Sequence, residues 1–340
     1  KGIQDALLIG SNFHSFPKAL IYYTTSYRCN IIALNPISIA FHSYKGGTGK
    51  TTIACNFAAQ LAKNGNQVGL LDLDIYAPSI QTYFEIEPKR WLNNYLNSSA
   101  ELSDVIIDGS QFVKSGKFNS SPYKSEEKST TNAGGNLWLG FSNPRSEEIL
   151  QLETTGTSTA REILKKLILL KEKMLTDLKL DYLVIDTSPG IRTWSINALA
   201  ISDILLLTLK SGDIDSKGTK RLVEDIYDTF TRHGSKSYLL YNRVQGYCMP
   251  PKDFLGAGNK GNNNNNIERT SWSGIESPPR FNASLGEPKL SQELGIKTIS
   301  SIPCFCDIQF SEKEFLTVLN YPDHPFSYYV NQLITGIRTA

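Results

Sequence analysis

ISIAFHSYKGGTGKTTIACNFAAQLAKNG, residues 37 to 65, contains a strand, a glycine loop and a helix in that order. ISIAFH is an unbroken apolar run that suits a buried strand. TTIACNFAAQLAK has apolar residues at helical spacing and stops at Gly65, a residue suited to the left-handed turn after a helix. QVGLLDLD, residues 67 to 74, is the next strand. A strand–loop–helix–strand unit opens a parallel sheet. The loop between them, residues 44 to 51, follows G-x-x-x-x-G-K-[ST] except that Tyr44 stands at the first glycine. Gly46, Gly47 and Gly49 allow backbone angles and close approaches that a Cβ blocks. The N–H groups of this loop, that of Thr48 included, and of the helix start can surround phosphate oxygens. Lys50 would reach β and γ phosphates, the Thr51 hydroxyl would ligate Mg²⁺, and the Thr52 hydroxyl would bond the α phosphate.

The chain has 340 residues, enough for one large α/β domain or two smaller ones. With 35 basic and 33 acidic residues the net charge is +2, so the totals give no support to wholesale binding of nucleic acid. Five scattered cysteines fit a reducing compartment better than a disulfide framework, and the expected localisation is cytoplasmic. No run approaches the roughly 18 apolar residues of a membrane span. Near the start, apolar LLIG is soon broken by Asn12, His14, Pro17 and Lys18, unlike a secretory leader.

Further along, DYLVID, DILLLTLK, KSYLLYNRV and IKTISSIP read as strands. TAREILKKLILLKEKMLTDLKL, GTKRLVEDIYDTFTRHG and FSYYVNQLITGI read as helices. Strands alternating with helices predict one α/β domain, a doubly wound, mostly parallel sheet with helices on both faces, over residues 37–340. Polar insertions are expected near 109–136 and 250–290, the second holding the run GNNNNN, and residues 1–36 form an N-terminal extension with no assigned structure. Asp186 closes the apolar run LVID, and a carboxylate at the end of a parallel strand beside the loop can hold a water of a Mg²⁺ shell.

KGGTGKT, residues 45 to 51, resembles the deviant phosphate loop K-G-G-x-G-K-[ST] of the MinD/ParA family of P-loop ATPases. The resemblance implies a P-loop NTPase fold, ATP/ADP and Mg as cofactors, and a nucleotide-sandwich homodimer. In it Lys45 would reach across to the partner's phosphates, as an arginine finger does elsewhere. LLDLDIYAPS, residues 70 to 79, is similar to the family's D-x-D-x-x-x-P-S segment; Asp74 then orients the attacking water and Asp72 supports the metal shell or the switch geometry. The family reads D-T-P-P-G where this chain has Asp186-Thr187-Ser188-Pro189-Gly190, so Ser188 alters the stiffness of that loop without removing a catalytic group. Asn242 matches an Asn that reads the adenine edge, a capping Asn being the alternative, and Asp307 follows the Ile302-Pro303 ending of the last core strand.

The resemblance implies slow hydrolysis stimulated by a protein partner, used for positioning or partitioning; the platform is open. A membrane surface would need an amphipathic basic tail. Phe326, Val330, Leu333, Ile334 and Ile337 share a helical stripe but have Arg338 as their one cation, and a packed terminal helix is the preferred reading. DNA would need clustered cations. Arg161, Lys165, Lys166, Lys171, Lys173 and Lys179 form a modest patch that reads better as a solvated helix face. An Mrp-type iron–sulfur or metal carrier is the alternative, on Cys304-Phe305-Cys306, with Cys248 and His324 as further ligands that spacing does not support. P-loop metabolic synthetases generally lack the early lysine, so Lys45 argues against them.

Overall fold

In the computed structural model, residues 36–114, 134–153, 157–232, 234–244, 289–309 and 311–340 are described. The N-terminal extension up to residue 35, Cys248, the asparagine run and most of both expected insertions lie outside the described residues. At the border of the first insertion, Ser110–Lys114 is helical and a strand begins at Asn136.

The strands are β1 (Ile37–His42), β2 (Gln67–Leu73), β3 (Ile106–Asp108), β4 (Asn136–Gly140), β5 (Tyr182–Thr187), β6 (Ile204–Leu209), β7 (Lys236–Val244) and β8 (Thr298–Pro303). They form one sheet in the order β3-β4-β2-β5-β1-β6-β7-β8. All neighbours are parallel except β3, which runs antiparallel to β4. The helices that matter for the site are α1 (Lys50–Lys63), α2 (Ile80–Phe84), α3 (Thr157–Asp177), α4 (Thr193–Ala200), α5 (Asp213–Leu222) and α6 (Pro325–Arg338).

Alternation along the strands sorts the core into two layers. Ile39, Phe41, Val184 and Leu206 pack beneath α1, α2 and α6. Ala40, Leu183, Ile185, Leu205 and Leu207 face the other way, against α3, α4 and α5. Helices therefore cover both faces, the doubly wound arrangement expected from the alternation of elements. The glycines of two inner strands meet side chains closely. A Cβ on Gly69 of β2 would lie 2.8 Å from Leu180, and one on Gly140 of β4 would lie 2.7 Å from Leu71.

The terminal helix α6 is packed. Phe326, Val330, Leu333, Ile334 and Ile337 are all at most 4% exposed, so the apolar stripe that a membrane would need is spent on the sheet. The basic helix α3 is partly committed too: Lys171 pairs with Asp203 at 3.2 Å, and Lys166 donates to the Leu96 carbonyl. Among the described residues no helix is long and apolar enough to cross a membrane.

The chain runs to one side of β1 through β2, β4 and β3, then to the other through β6, β7 and β8. Such a reversal leaves a crevice at the C-terminal ends of the central strands, where open α/β sheets take their ligands.

Candidate functional site

Four segments converge on that crevice: the loop after β1, the loop after β2, the loop after β5, and the end of β7. The loop after β1 needs its glycines. Gly47 has φ +72 and Gly49 φ +85, in the left-handed region that side chains disfavour. Gly49 is also the residue just before α1. A Cβ there would stand 2.3 Å from Asn242 Nδ2. Asn242 donates through Nδ2 to the Thr48 carbonyl at 2.7 Å, so it braces the loop from β7. Beside it Arg243, itself at φ +56, donates to the Gly47 carbonyl at 3.3 Å.

Tyr44, in place of the first glycine, has its room made elsewhere. Its ring lies on Gly218 of α5, where an added Cβ would fall 2.1 Å from the ring. Lys50 is buried, while Lys45 is exposed and its amine has no hydrogen bond or ion pair among the described residues. The Thr51 hydroxyl donates to Asp186 Oδ2 at 2.6 Å, tying the start of α1 to the end of β5. The Thr52 hydroxyl meets the Tyr83 hydroxyl of α2 at 2.9 Å.

Asp72 and Asp186 are register partners on adjacent parallel strands, so their carboxyls lie side by side. Asp72 is saturated by backbone donors. Its Oδ1 accepts from Asp74 N at 3.1 Å, and its Oδ2 from Ser79 N and Ile80 N at 3.0 Å each. That shapes the loop after β2 and starts α2. Asp74 Oδ1 accepts from the Ser188 hydroxyl at 2.7 Å and from Ala77 N at 3.2 Å.

Burial, then the charge of Asp186, pushes the Asp72 carboxyl well above the usual carboxylate range. Burial also raises Asp186, to about 6, against the pull of the Lys50 charge and the Thr51 hydrogen bond. Burial and a like charge nearby both disfavour the charged form of a carboxylate. Asp186 Oδ1 and Thr48 Oγ1 are buried and have no hydrogen-bond partner among the described residues. Buried polar atoms normally find partners. With a glycine loop at positive φ and a Thr–Asp pair, this donor set fits a magnesium-bound nucleotide. Mg²⁺ needs only one or two protein oxygens beside phosphates and waters. Among the described residues no three His, Cys, Asp or Glu side chains converge on a metal site.

Residues 36–105 match a family model described as ParA, NUBPL iron-transfer P-loop NTPase. Over those residues the chain is similar to the ParA family of P-loop NTPases. An uncharacterized ATP-binding protein of Methanocaldococcus jannaschii is 42% identical over 84 residues, 24% of this chain and 32% of that protein. The MinD/ParA-type fold extends over the whole sheet. The cell division ATPase MinD of Pyrococcus furiosus superposes at TM-score 0.58, with 16% identity, over 89% of this chain and 98% of its own. The septum site-determining protein MinD of Pyrococcus horikoshii, solved in complex with Mg-ADP, superposes at 0.56 with 16% identity, over 89% of this chain and 96% of its own. The chain spans between 14% and 45% of the length of the first curated relatives it matches.

The crevice thus brings together Gly46 to Thr52, Asp72, Asp74, Asp186 and Asn242, all singled out from the sequence. Asp307 is engaged by another partner: its carboxylate takes a hydrogen bond from His324 Nε2 at 2.9 Å, which lowers its pKa. Cys304 Sγ donates to Gln309 Oε1 at 3.1 Å. The sequence reading missed His42. It ends β1 beneath the loop, is 1% exposed, and lies 2.7 Å through Nδ1 from the Thr187 hydroxyl. That hydroxyl donates to the Phe41 carbonyl at 2.8 Å, so it accepts from His42 Nδ1–H. Burial, and next the Lys50 charge, lowers the His42 pKa to about 3. A histidine one residue before a polar loop carries no periodic signal that separates it from an ordinary strand end.

Proposed function

We propose that this protein is a cytoplasmic ATPase that works as a dimerising switch, with Mg²⁺ and ATP as its cofactors and slow hydrolysis stimulated by a protein partner. The observation that supports it best is the contrast between the two lysines of one loop. Lys50 is buried against the site, whereas Lys45 is exposed and has no partner among the described residues. A cation left uncommitted at the rim of a phosphate loop suits a partner copy's phosphates.

Bound Mg²⁺–ATP supplies the transferable phosphoryl group, with the metal offsetting charge on its oxygens. The chain's own groups then have distinct tasks. N–H groups of Gly46, Gly47, Thr48 and Gly49 bind phosphate, and Lys50 adds charge. Thr51 and Asp186 would hold the metal, and Asp72 would keep the adjoining turn and the metal shell in register. Thr52 serves the α phosphate and Asn242 the base side. Asp74 orients water, and Lys45 acts in the neighbouring copy. No strong general base is needed, since positioning and charge neutralisation carry most of phosphoryl transfer.

Gel filtration with light scattering tests the reading. ATP should convert monomer to dimer, ADP should not, and Asp74→Ala should hold the dimer longer. A monomer under every nucleotide, in both proteins, would end it.

An iron–sulfur or metal carrier of the same fold is the second reading. It is favoured by the iron-transfer family model and by Cys304 and Cys306, two partly exposed cysteines just past β8. Anaerobic purification followed by iron and zinc analysis decides it: stoichiometric metal that Cys304→Ala removes supports carriage, and metal-free protein rules it out.

A further inference from the structure

We propose that Ser188 is a positioning residue for hydrolysis: its hydroxyl, donated to Asp74 Oδ1, fixes the Asp74 carboxylate and joins the loop after β5 to the loop after β2. This rests on the ATPase reading above. The hydrogen bond is 2.7 Å long and wholly buried, with Ser188 at 0% and Asp74 at 8% exposure. A short bond to a carboxylate in a dry site is among the stronger neutral-to-charged contacts and restrains the acceptor's rotation. Among the described residues, both hydrogen bonds to the Asp74 carboxylate, from Ser188 and from Ala77 N, fall on Oδ1.

Ser188 is itself held. Its carbonyl accepts from the Ser195 hydroxyl of α4 at 2.7 Å, so α4 sets the height of the loop that carries the donor. A second contact joins the same two loops independently. The Arg192 guanidinium lies 4.1 Å from the centre of the Tyr76 ring, a cation–π contact at the rim of the crevice. Two ties, one buried and one at the surface, make the loops move together. A change sensed at Pro189 and Gly190 is thereby passed to Asp74. Proline, which the resembling pattern has at this position, could make no such bond.

Single-turnover hydrolysis of radiolabelled ATP by the full chain tests the proposal, with Ser188→Ala, Asp74→Asn and the double variant. Ser188→Ala should slow the chemical step about tenfold while leaving the Kd for ATP nearly unchanged and lowering the melting temperature by only a few degrees. In the Asp74→Asn background the same change should cost less than about twofold, because Ser188 acts through Asp74. An undiminished rate in Ser188→Ala, or an equal loss in both backgrounds, overturns the positioning role and leaves the ATPase reading standing. A wild-type protein that binds ATP and never turns it over removes the ATPase reading, and the proposal with it.

Discussion

His42 is buried at the end of β1 with a pKa of about 3, far below 6.5. A group whose folded pKa is depressed stabilises the fold above its unfolded pKa and loses that contribution as pH falls through the folded value. Wild-type stability should therefore drop on going from about pH 6 to about pH 4, by up to roughly 1.4 kcal/mol per pH unit from this one proton. His42→Gln has no proton to take up there. Urea titrations at several pH values should show a shallower acid limb for the variant, even if packing lowers its overall stability. Parallel limbs would mean that His42 does not titrate with unfolding. At this scale the sequence was informative about Gly46 to Thr52 and Asp186, where residue type at fixed spacing carries the chemistry. It was uninformative about His42 and about the Ser188 hydroxyl, whose partners lie 145 and 114 residues away. Such contacts leave no local pattern.

Elements show a compensation between a loop and a helix. Tyr44 occupies the place of a loop glycine, and Gly218 of α5 supplies the missing space. Gly218→Ala puts a methyl within about 2 Å of the Tyr44 ring and must push the ring, and with it the front of the loop. Overpacking of this kind costs about 1–3 kcal/mol. The expected outcome is roughly tenfold weaker nucleotide binding with a normal circular dichroism spectrum, and Tyr44→Gly in the same chain should restore it. Unchanged binding in Gly218→Ala would show that the ring can leave freely. Most elements could be read from periodicity, and β1, β2, β5, β6, β7 and β8 lie where the apolar runs placed them. Two could not. β3 has three residues, too few for any period, and β4 begins at Asn136 at the far border of a polar run. The helix of residues 213–232 holds a π turn at Val223–Tyr227, which spacing does not announce.

For the molecule as a whole, the weight falls on the face that holds all four site segments. Lys45 stands on it with no partner among the described residues. Lys45→Ala should leave nucleotide binding by the monomer within about twofold, and should lower turnover by about three orders of magnitude, the low end of the range over which a trans cation acts. Fluorescent-nucleotide titration and phosphate release measure the two separately. Full turnover in Lys45→Ala would put the catalytic charge elsewhere. The architecture was legible because alternation of strands and helices is a global pattern that survives local exceptions. The role of its helix faces was not, since α6 and α3 have ambiguous faces in sequence and only packing shows that the apolar stripe of α6 is already covered.

The reversed strand β3 also limits how copies can associate. Sheets continue from one molecule to another where a long, flat border leaves its amides and carbonyls unpaired. Here one border is three residues long and runs against its neighbours, and the other ends in Pro303, which has no amide to offer. Among the described residues, stacking of copies border to border into fibrils is therefore disfavoured from both sides.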